Sequence, residues 1–560
     1  MKIRPLIAIS TVCITTFFTA CKHADKSGIL APKDVLMLVH IDGGSLSSKL
    51  SWEDIKGTAW FKDAYGSAED SLQKKLMDNP ENSGIDAKSN FAFFVKKQGA
   101  ATYIALEGSL KDTTAFLAFN KKVNKDGTST RDGDVSHMRL NDMASVTWNE
   151  SRFIYLFATP SMNFMQAITH SAPSESSEKF PVDSLDKFGK GILDISGSDN
   201  IASDDRFSTM MGEAGDVHVF VNSEEYFNNF IGGALSMMKL NVLYEGAASA
   251  TTINFDNGKI TMKMKGYYNK DMAKLMDKYP SHAIGADVIN RIPSKNVAAA
   301  FVFNYPPEGL KELLKMTGVD GIVNSGFEKI NYSMDEFVKA NKGDIVLAVS
   351  DLQMKTKEIP MPGMDGQPGS TYKSTTPDAK ILFAASINDK PAFDKLITSL
   401  KGLLQQYAPN GIPDVNYTLN NNWFAAGNSQ DDINKFISGG GSSQPFADKI
   451  SGHAFGGYID LQKIIGMGND AASSDSSAKA AMDVSLKMWQ DVTMYGDAST
   501  GSYGEVNLVD KNTNSLKQLN QYIDKIATIV KAKNKSAAAD EMHMGMMDST
   551  AVKDEAMPKH

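Results

Sequence analysis

The chain has 560 residues, 42% of them hydrophobic and 9% aromatic, and its 58 basic against 66 acidic side chains give a formal charge of −8. That mildly acidic balance excludes the basic footprint of a nucleic-acid binder and a polybasic attraction to anionic lipid. Only two cysteines, Cys13 and Cys21, are present, which excludes a disulfide scaffold and leaves stability to packing, while the length suggests two or more domains.

In chain order, Lys2 and Arg4 precede an apolar run over residues 6–18, and Phe18-Thr19-Ala20-Cys21 closes it. This is the pattern of a lipoprotein signal peptide over residues 1–20, cut before a lipid-bearing Cys21. Residues 21–30 then form a lipidated tether. The apolar run is shorter than the roughly 20 residues of a spanning helix, and no later segment is long and apolar enough to cross a bilayer. With Cys13 removed and Cys21 acylated no thiol remains, which excludes a cysteine nucleophile, zinc–thiolate sites and iron–sulfur clusters.

After the tether one pattern returns four times: a β-type apolar run, an Asp or Asn, then a helix-like stretch. The runs are 35–41 before Asp42, 217–221 before Asn222, 297–303 before Asn304 and 454–459 before Asp460. All four read as strand, N-cap and helix, because a side-chain oxygen there accepts from the free amides that open a helix. Trp52, Trp60, Phe61 and Tyr65 are spaced for one face of a helix and predict core packing. The stretch 124–134 resembles a calcium loop but lacks its oxygen ligands, and predicts two turns. Asp256-Asn257-Gly258 predicts a tight turn between strands at 251–255 and 259–265. Residues 170–179, rich in Ser, Glu and Pro, and 359–376, with three prolines among glycines and serines, predict mobile loops, and 536–560 a disordered tail.

The segments also pair at a distance. Residues 104–116 match 381–393, bringing Asp112 and Phe116 onto Asp389 and Phe393. Two hairpin-like stretches, 144–158 and 415–426, each hold a tryptophan, Trp148 and Trp423. The ordered matches predict a tandem duplication with halves at 31–285 and 290–535. Hairpin-linked strands with helices between them predict an α+β fold of two related halves, each with antiparallel or mixed sheets covered by helices.

Searched for chemistry, the chain holds no nucleophile elbow, zinc-protease, phosphate-loop or dinucleotide signature. His40, His218 and His453 fall in or beside predicted strands, without metal-ligand spacing. No catalytic, cofactor or metal-binding residue is assigned, and no cofactor is expected. Carboxylates are too abundant to single out a pair. Met542-His-Met-Gly-Met-Met547 is a soft donor set suited to Cu(I).

Cys21, the short tether, Ala31-Pro32-Lys33-Asp34-Val35 and the strand ending Ile41-Asp42 resemble an uncharacterised Bacteroidota envelope lipoprotein family, a domain of unknown function. The resemblance implies a lipoprotein of a two-membrane bacterium and brings no catalytic residues. Lys22-His23-Ala24-Asp25-Lys26 lacks the dense acidic cluster of surface export and an Asp directly after the cysteine, which favours the periplasmic face of the outer membrane. The expected function is binding or scaffolding in the envelope. Its partners would be the membrane, through the lipid on Cys21, and an envelope protein or glycan, with no nucleic acid. A glycan hydrolase with an unrecognised carboxylate pair, and metal capture by the Met/His tail, stay as alternatives.

Overall fold

The computed structural model describes residues 28–550 except 69–70, 100, 125–126, 160–183, 231–238, 361–370, 408–415, 472–474 and 498–499. Cys21, residues 170–179 and the side chains of 542–547 lie outside the described residues. The fold is α+β, with eighteen strands among the described residues. Compactness divides it into two units, one from Met1–Ser47, Asp70–Ala234 and Tyr244–Thr252, the other from Ser48–Glu69, Leu235–Leu243 and Ile253–His560. This division differs from the sequence boundary at 285–290, because residues 253–285 carry a strand that pairs with the last strand of the second unit.

The first unit holds β1 (Met37–Asp42), β2 (Asn90–Gln98), β3 (Ala101–Ser109), β4 (Ser129–Asp132), β5 (Val135–Asn141), β6 (Ala144–Trp148), β7 (Arg152–Thr159) and β8 (Val217–Asn222), with the start of β9 (Ala248–Asp256). They pair antiparallel in the order β8-β1-β2-β3-β7-β6-β5-β4. Period-two alternation sends Leu38, Phe94, Tyr103, Ala105 and Phe220 into the core. Phe207 meets Phe220 edge-on at 5.7 Å and Phe188 stacks on Tyr103 at 5.7 Å, so helices Asp205–Met211 and Leu185–Leu193 cover that face. Phe116, on the helix Thr113–Val123, packs with Met138, Val146, Trp148 and Phe153. Burying one such ring contributes roughly 2–3 kcal/mol.

The backbone at Ile29–Ala31 is pinned to this unit. Leu30 N donates to Glu107 Oε2 at 2.8 Å, Asn200 Nδ2 donates to the Ile29 carbonyl at 3.2 Å and Ile201 N to that of Ala31 at 2.9 Å. Glu107, only 2% exposed, also pairs with Arg152 at 2.8 Å.

The second unit holds β10 (Lys259–Tyr267), β11 (Val297–Asn304), β12 (Asn341–Pro360), β13 (Thr371–Ile387), β14 (Asn416–Leu419), β15 (Trp423–Gly427), β16 (Phe455–Asp460), β17 (Trp489–Asp497) and β18 (Gly501–Leu508). Their antiparallel order is β14-β15-β13-β12-β11-β16-β17-β18-β10. One face buries Ala300, Val302, Val346, Leu382 and Trp423 against Ile433 and Phe436 of the helix Gln430–Ser438. The other buries Ile345, Ala385, Ile387 and Phe424 against Phe393 of the helix Lys390–Tyr407.

Several local expectations change here. Asp42, Asn222 and Asp460 accept amides three residues on, from Ser45, Glu225 and Lys463, and Asp112 and Asp389 cap their helices likewise. Asn304 does not. Its helix starts later, at Pro307, and the Asn304 side chain instead donates to Asp344 and accepts from His282 N. The aromatic segment forms two helices, Trp52–Lys56 and Ala59–Ser67, because Thr58 opens a new cap; Phe61 is buried among Trp52, Trp60 and Tyr65. Gly133 makes one of the two turns expected at 124–134, between β4 and β5. Of the loop expected at 359–376, residues 359–360 and 371–376 are strand, since β12 and β13 run on as a ribbon with pairs such as Thr356 and Thr375, and 361–370 lie outside the described residues. The ribbon begins at a register shift where Asp351 takes a φ of 52°. The last helix runs Ser515–Thr550, into the stretch where the sequence predicts disorder.

Candidate functional site

Four neighbouring strands of the second unit put an unusual set of side chains on one face. Across β16, β17, β18 and β10 the register aligns Tyr458, Thr493, Glu505 and Thr261 in one row. Asp460, Asp491 and Asn507, with Lys259, form the next. Tyr495, Tyr503 and Lys263 form a third. This face continues the one that buries Ala300 and Val302, because Tyr458 lies opposite Ala300 and stacks on Phe446 at 4.2 Å, and Thr261, Thr493 and Asn507 are buried on it.

Lys259 Nζ donates to Glu505 Oε2 at 2.8 Å, and the Tyr503 hydroxyl lies 3.3 Å from the same oxygen. Asn507 Nδ2 donates to Asp491 Oδ1 at 2.8 Å, while Lys511 Nζ reaches Asn507 Oδ1 at 3.4 Å. Burial pushes the Glu505 carboxyl up, but the Lys259 and Asn507 hydrogen bonds outweigh it and hold Glu505 below the usual range. The bond to Glu505 raises Lys259. Burial lowers Lys511 and raises Tyr503. Such a concentration of shifted groups marks a candidate site.

At the end of the seam three rings follow one another. Tyr495 lies 5.3 Å from Tyr503, and His453 stacks on Tyr495 at 4.5 Å and 22°. His453 Nδ1 sits 3.0 Å from Asp497 Oδ2, and Asp497 Oδ1 accepts Ala454 N at 2.7 Å. Burial raises Asp497, yet those bonds hold it low. Gly258 closes the other end with a φ of 68°; a Cβ there would meet Lys511 Cα at 2.4 Å.

Of the histidines singled out in the sequence, His453 belongs to this seam, while His40 and His218 pair with each other in the first unit. Cys21 lies outside the described residues. The seam itself had no sequence signal, since its members come from residues 259–511 and meet only through register. Among the described residues no three His, Cys, Asp or Glu side chains are grouped to hold a metal, and no helix is long and apolar enough to cross a membrane.

A family profile described as a domain of unknown function, DUF4836, matches residues 28–362. The chain belongs to the DUF4836 family. Within this DUF4836 chain the matched stretch includes His40, His218 and Lys259, and most of the seam lies beyond it. No curated protein matches the chain. Among solved structures, crystal form I of TP0453 is similar at 12% identity, over 46% of this chain and 88% of that one, with a TM-score of 0.21. Crystal form III of TP0453 is similar at 10% identity, over 45% and 88%, with a TM-score of 0.23.

Proposed function

We propose that this DUF4836 chain is a lipid-anchored binding protein of the cell envelope that takes a glycan on the tyrosine-lined seam. The observation that carries it is the run His453–Tyr495–Tyr503 beside the Lys259–Glu505 pair. A sugar ring offers an apolar C–H face and a rim of hydroxyls. Flat rings cover the first, and carboxylate, amide and ammonium groups take the second through charge-assisted bonds. The charged groups are already paired, so a ligand joins a formed network instead of desolvating lone charges.

Binding is favoured over hydrolysis by the state of Glu505 and Asp497. A glycosidase needs one carboxylic acid held protonated near neutral pH. Glu505 and Asp497 are both held low.

The anchor rests on Phe18-Thr19-Ala20-Cys21, and the periplasmic face of the outer membrane is its proposed place. Duplication of residues 31–285 and 290–535 is part of the same reading. It is supported by one pairing order occurring twice, β8-β1-β2-β3-β7-β6 and β16-β11-β12-β13-β15-β14.

Calorimetric titration with soluble chito-oligosaccharides, β-glucan oligomers and peptidoglycan fragments tests the ligand. At least one class should bind saturably, and Tyr495→Ala and Tyr503→Ala should each weaken it about tenfold, the loss of one stacking contact of roughly 1.4 kcal/mol. Failure of all three classes, or unchanged affinity in both variants, would reject the glycan reading. For the anchor, Cys21→Ser should abolish acylation and release the protein from the membrane fraction; continued acylation would reject it.

A further inference from the structure

We propose that His40 and His218 form a buried proton latch that makes the β1–β8 pairing sensitive to mild acid. The two residues are directly opposite across β1 and β8, each 3% exposed, with their Nδ1 atoms 3.1 Å apart. Two nitrogens this close must share one hydrogen.

The second nitrogen of His218 decides which way it points. His218 Nε2 lies 3.1 Å from the backbone carbonyl of Glu213, and a carbonyl can only accept. His218 Nε2 therefore carries a hydrogen, and in the neutral ring its Nδ1 is bare. His40 Nδ1 must then be the donor. A neutral His40 that donates from Nδ1 has a bare Nε2, and that atom is buried with no hydrogen-bond partner of good geometry, the Asn90 amide lying beside the ring. The polar chain thus runs from the bare His40 Nε2, through both rings, to the Glu213 carbonyl.

This order gives two unequal protonation steps. A proton added at His40 Nε2 leaves the Nδ1–H···Nδ1 bond intact and makes its donor cationic. A second proton can go only to His218 Nδ1, which sets two N–H groups head-on at a hydrogen-bond distance. The first step is compatible with the paired strands and the second is not. The two rings titrate as one coupled system.

Burial lowers both rings from the ordinary histidine value. The groups facing them are Asp42 on β1, Asp216 and Glu213 before β8, and the Asn90 amide on β2, all of which favour the charged form. From the helix Gly43–Lys49, Ser45 Oγ donates to Asp216 Oδ1 at 2.5 Å, fixing that carboxylate. Burial is the larger influence. The sign follows: stability is full above pH 6.5, where unfolded histidine is neutral, and falls as pH drops below it, because the unfolded chain takes protons that the folded pair resists. The opening equilibrium gains up to about tenfold per pH unit for each proton involved.

Histidine-selective ¹⁵N NMR on the full mature chain at pH 7.5 should show His40 protonated at Nδ1 and His218 at Nε2. Hydrogen exchange of β1 and β8 amides should quicken by at least about tenfold between pH 7 and pH 5, beyond the intrinsic pH dependence. His40→Phe should flatten that rise, while His453→Phe should leave it unchanged. A His218 protonated at Nδ1, or equal acid sensitivity of wild type and His40→Phe, would overturn the latch. If His40→Phe does not fold, the tautomers and exchange of the wild type decide alone.

Discussion

Asp524 accepts the backbone amide of Ala59 at 2.7 Å, across 465 residues of sequence, and that of Trp60 at 3.1 Å. The carboxylate on the C-terminal helix thus serves the free amides that open the helix Ala59–Ser67, beside the local cap Thr58. Lys517 pairs with Asp54 at 2.9 Å and Lys531 with Asp63 at 2.5 Å along the same contact.

Asp524→Ala should therefore destabilise this contact by about 1 kcal/mol, the usual worth of an N-terminal cap. Asp524→Asn, which keeps an acceptor, should lose less. Limited proteolysis within residues 48–69 reads the effect directly, and faster cleavage is expected in the alanine variant alone.

Arg152 is the counter-charge to buried Glu107. Arg152→Ala should cost roughly 3–5 kcal/mol, because it strands a carboxylate away from water. Glu107→Gln, which keeps hydrogen bonding without the charge, should cost less. Urea unfolding followed by tyrosine and tryptophan fluorescence separates the two, and equal midpoints would contradict the account.

Asp351 holds a left-handed backbone at the base of the β12–β13 ribbon, with Ser294 Oγ at 2.8 Å and Lys380 at 3.1 Å. Asp351→Val should destabilise by roughly 1–3 kcal/mol, since a β-branched residue tolerates that φ poorly. Burial raises the Asp351 carboxyl, but the bonds from Ser294 and Lys380 outweigh it and hold it low. Its contribution is thus present above the ordinary carboxylate pKa near 3.8 and is lost as pH falls below it. Asp351→Asn should remove that part of the acid sensitivity, which unfolding midpoints between pH 5 and pH 3 would show.

Gly258→Ala should destabilise by more than the roughly 1–2 kcal/mol of its left-handed φ, because the new Cβ meets the Lys511 backbone. The same shift displaces Lys511 from Asn507. Weaker glycan binding together with a lower melting temperature is the expected outcome.

Local chemistry was legible in the sequence wherever it acts within a few residues. Asp42 and Asp460 could be read as caps because a cap bonds amides two or three positions on. Asn304 could not, because Pro306 and Pro307 move the helix start and leave its side chain free for Asp344. The α+β character followed from alternation and turn residues. The seam and the histidine latch did not follow, because both depend on register. His40 meets His218 at a separation of 178 residues, and a slip of one residue would send both rings to the opposite face.

The pinned backbone at Ile29–Ala31 sets a leash. If Cys21 carries the lipid, six residues, and so seven backbone steps, separate it from Gly28, where the described chain begins. However those residues are arranged, they reach at most roughly 25 Å. The first unit would then work within about one domain's diameter of the bilayer, sampling what lies against the membrane rather than the open depth of the compartment.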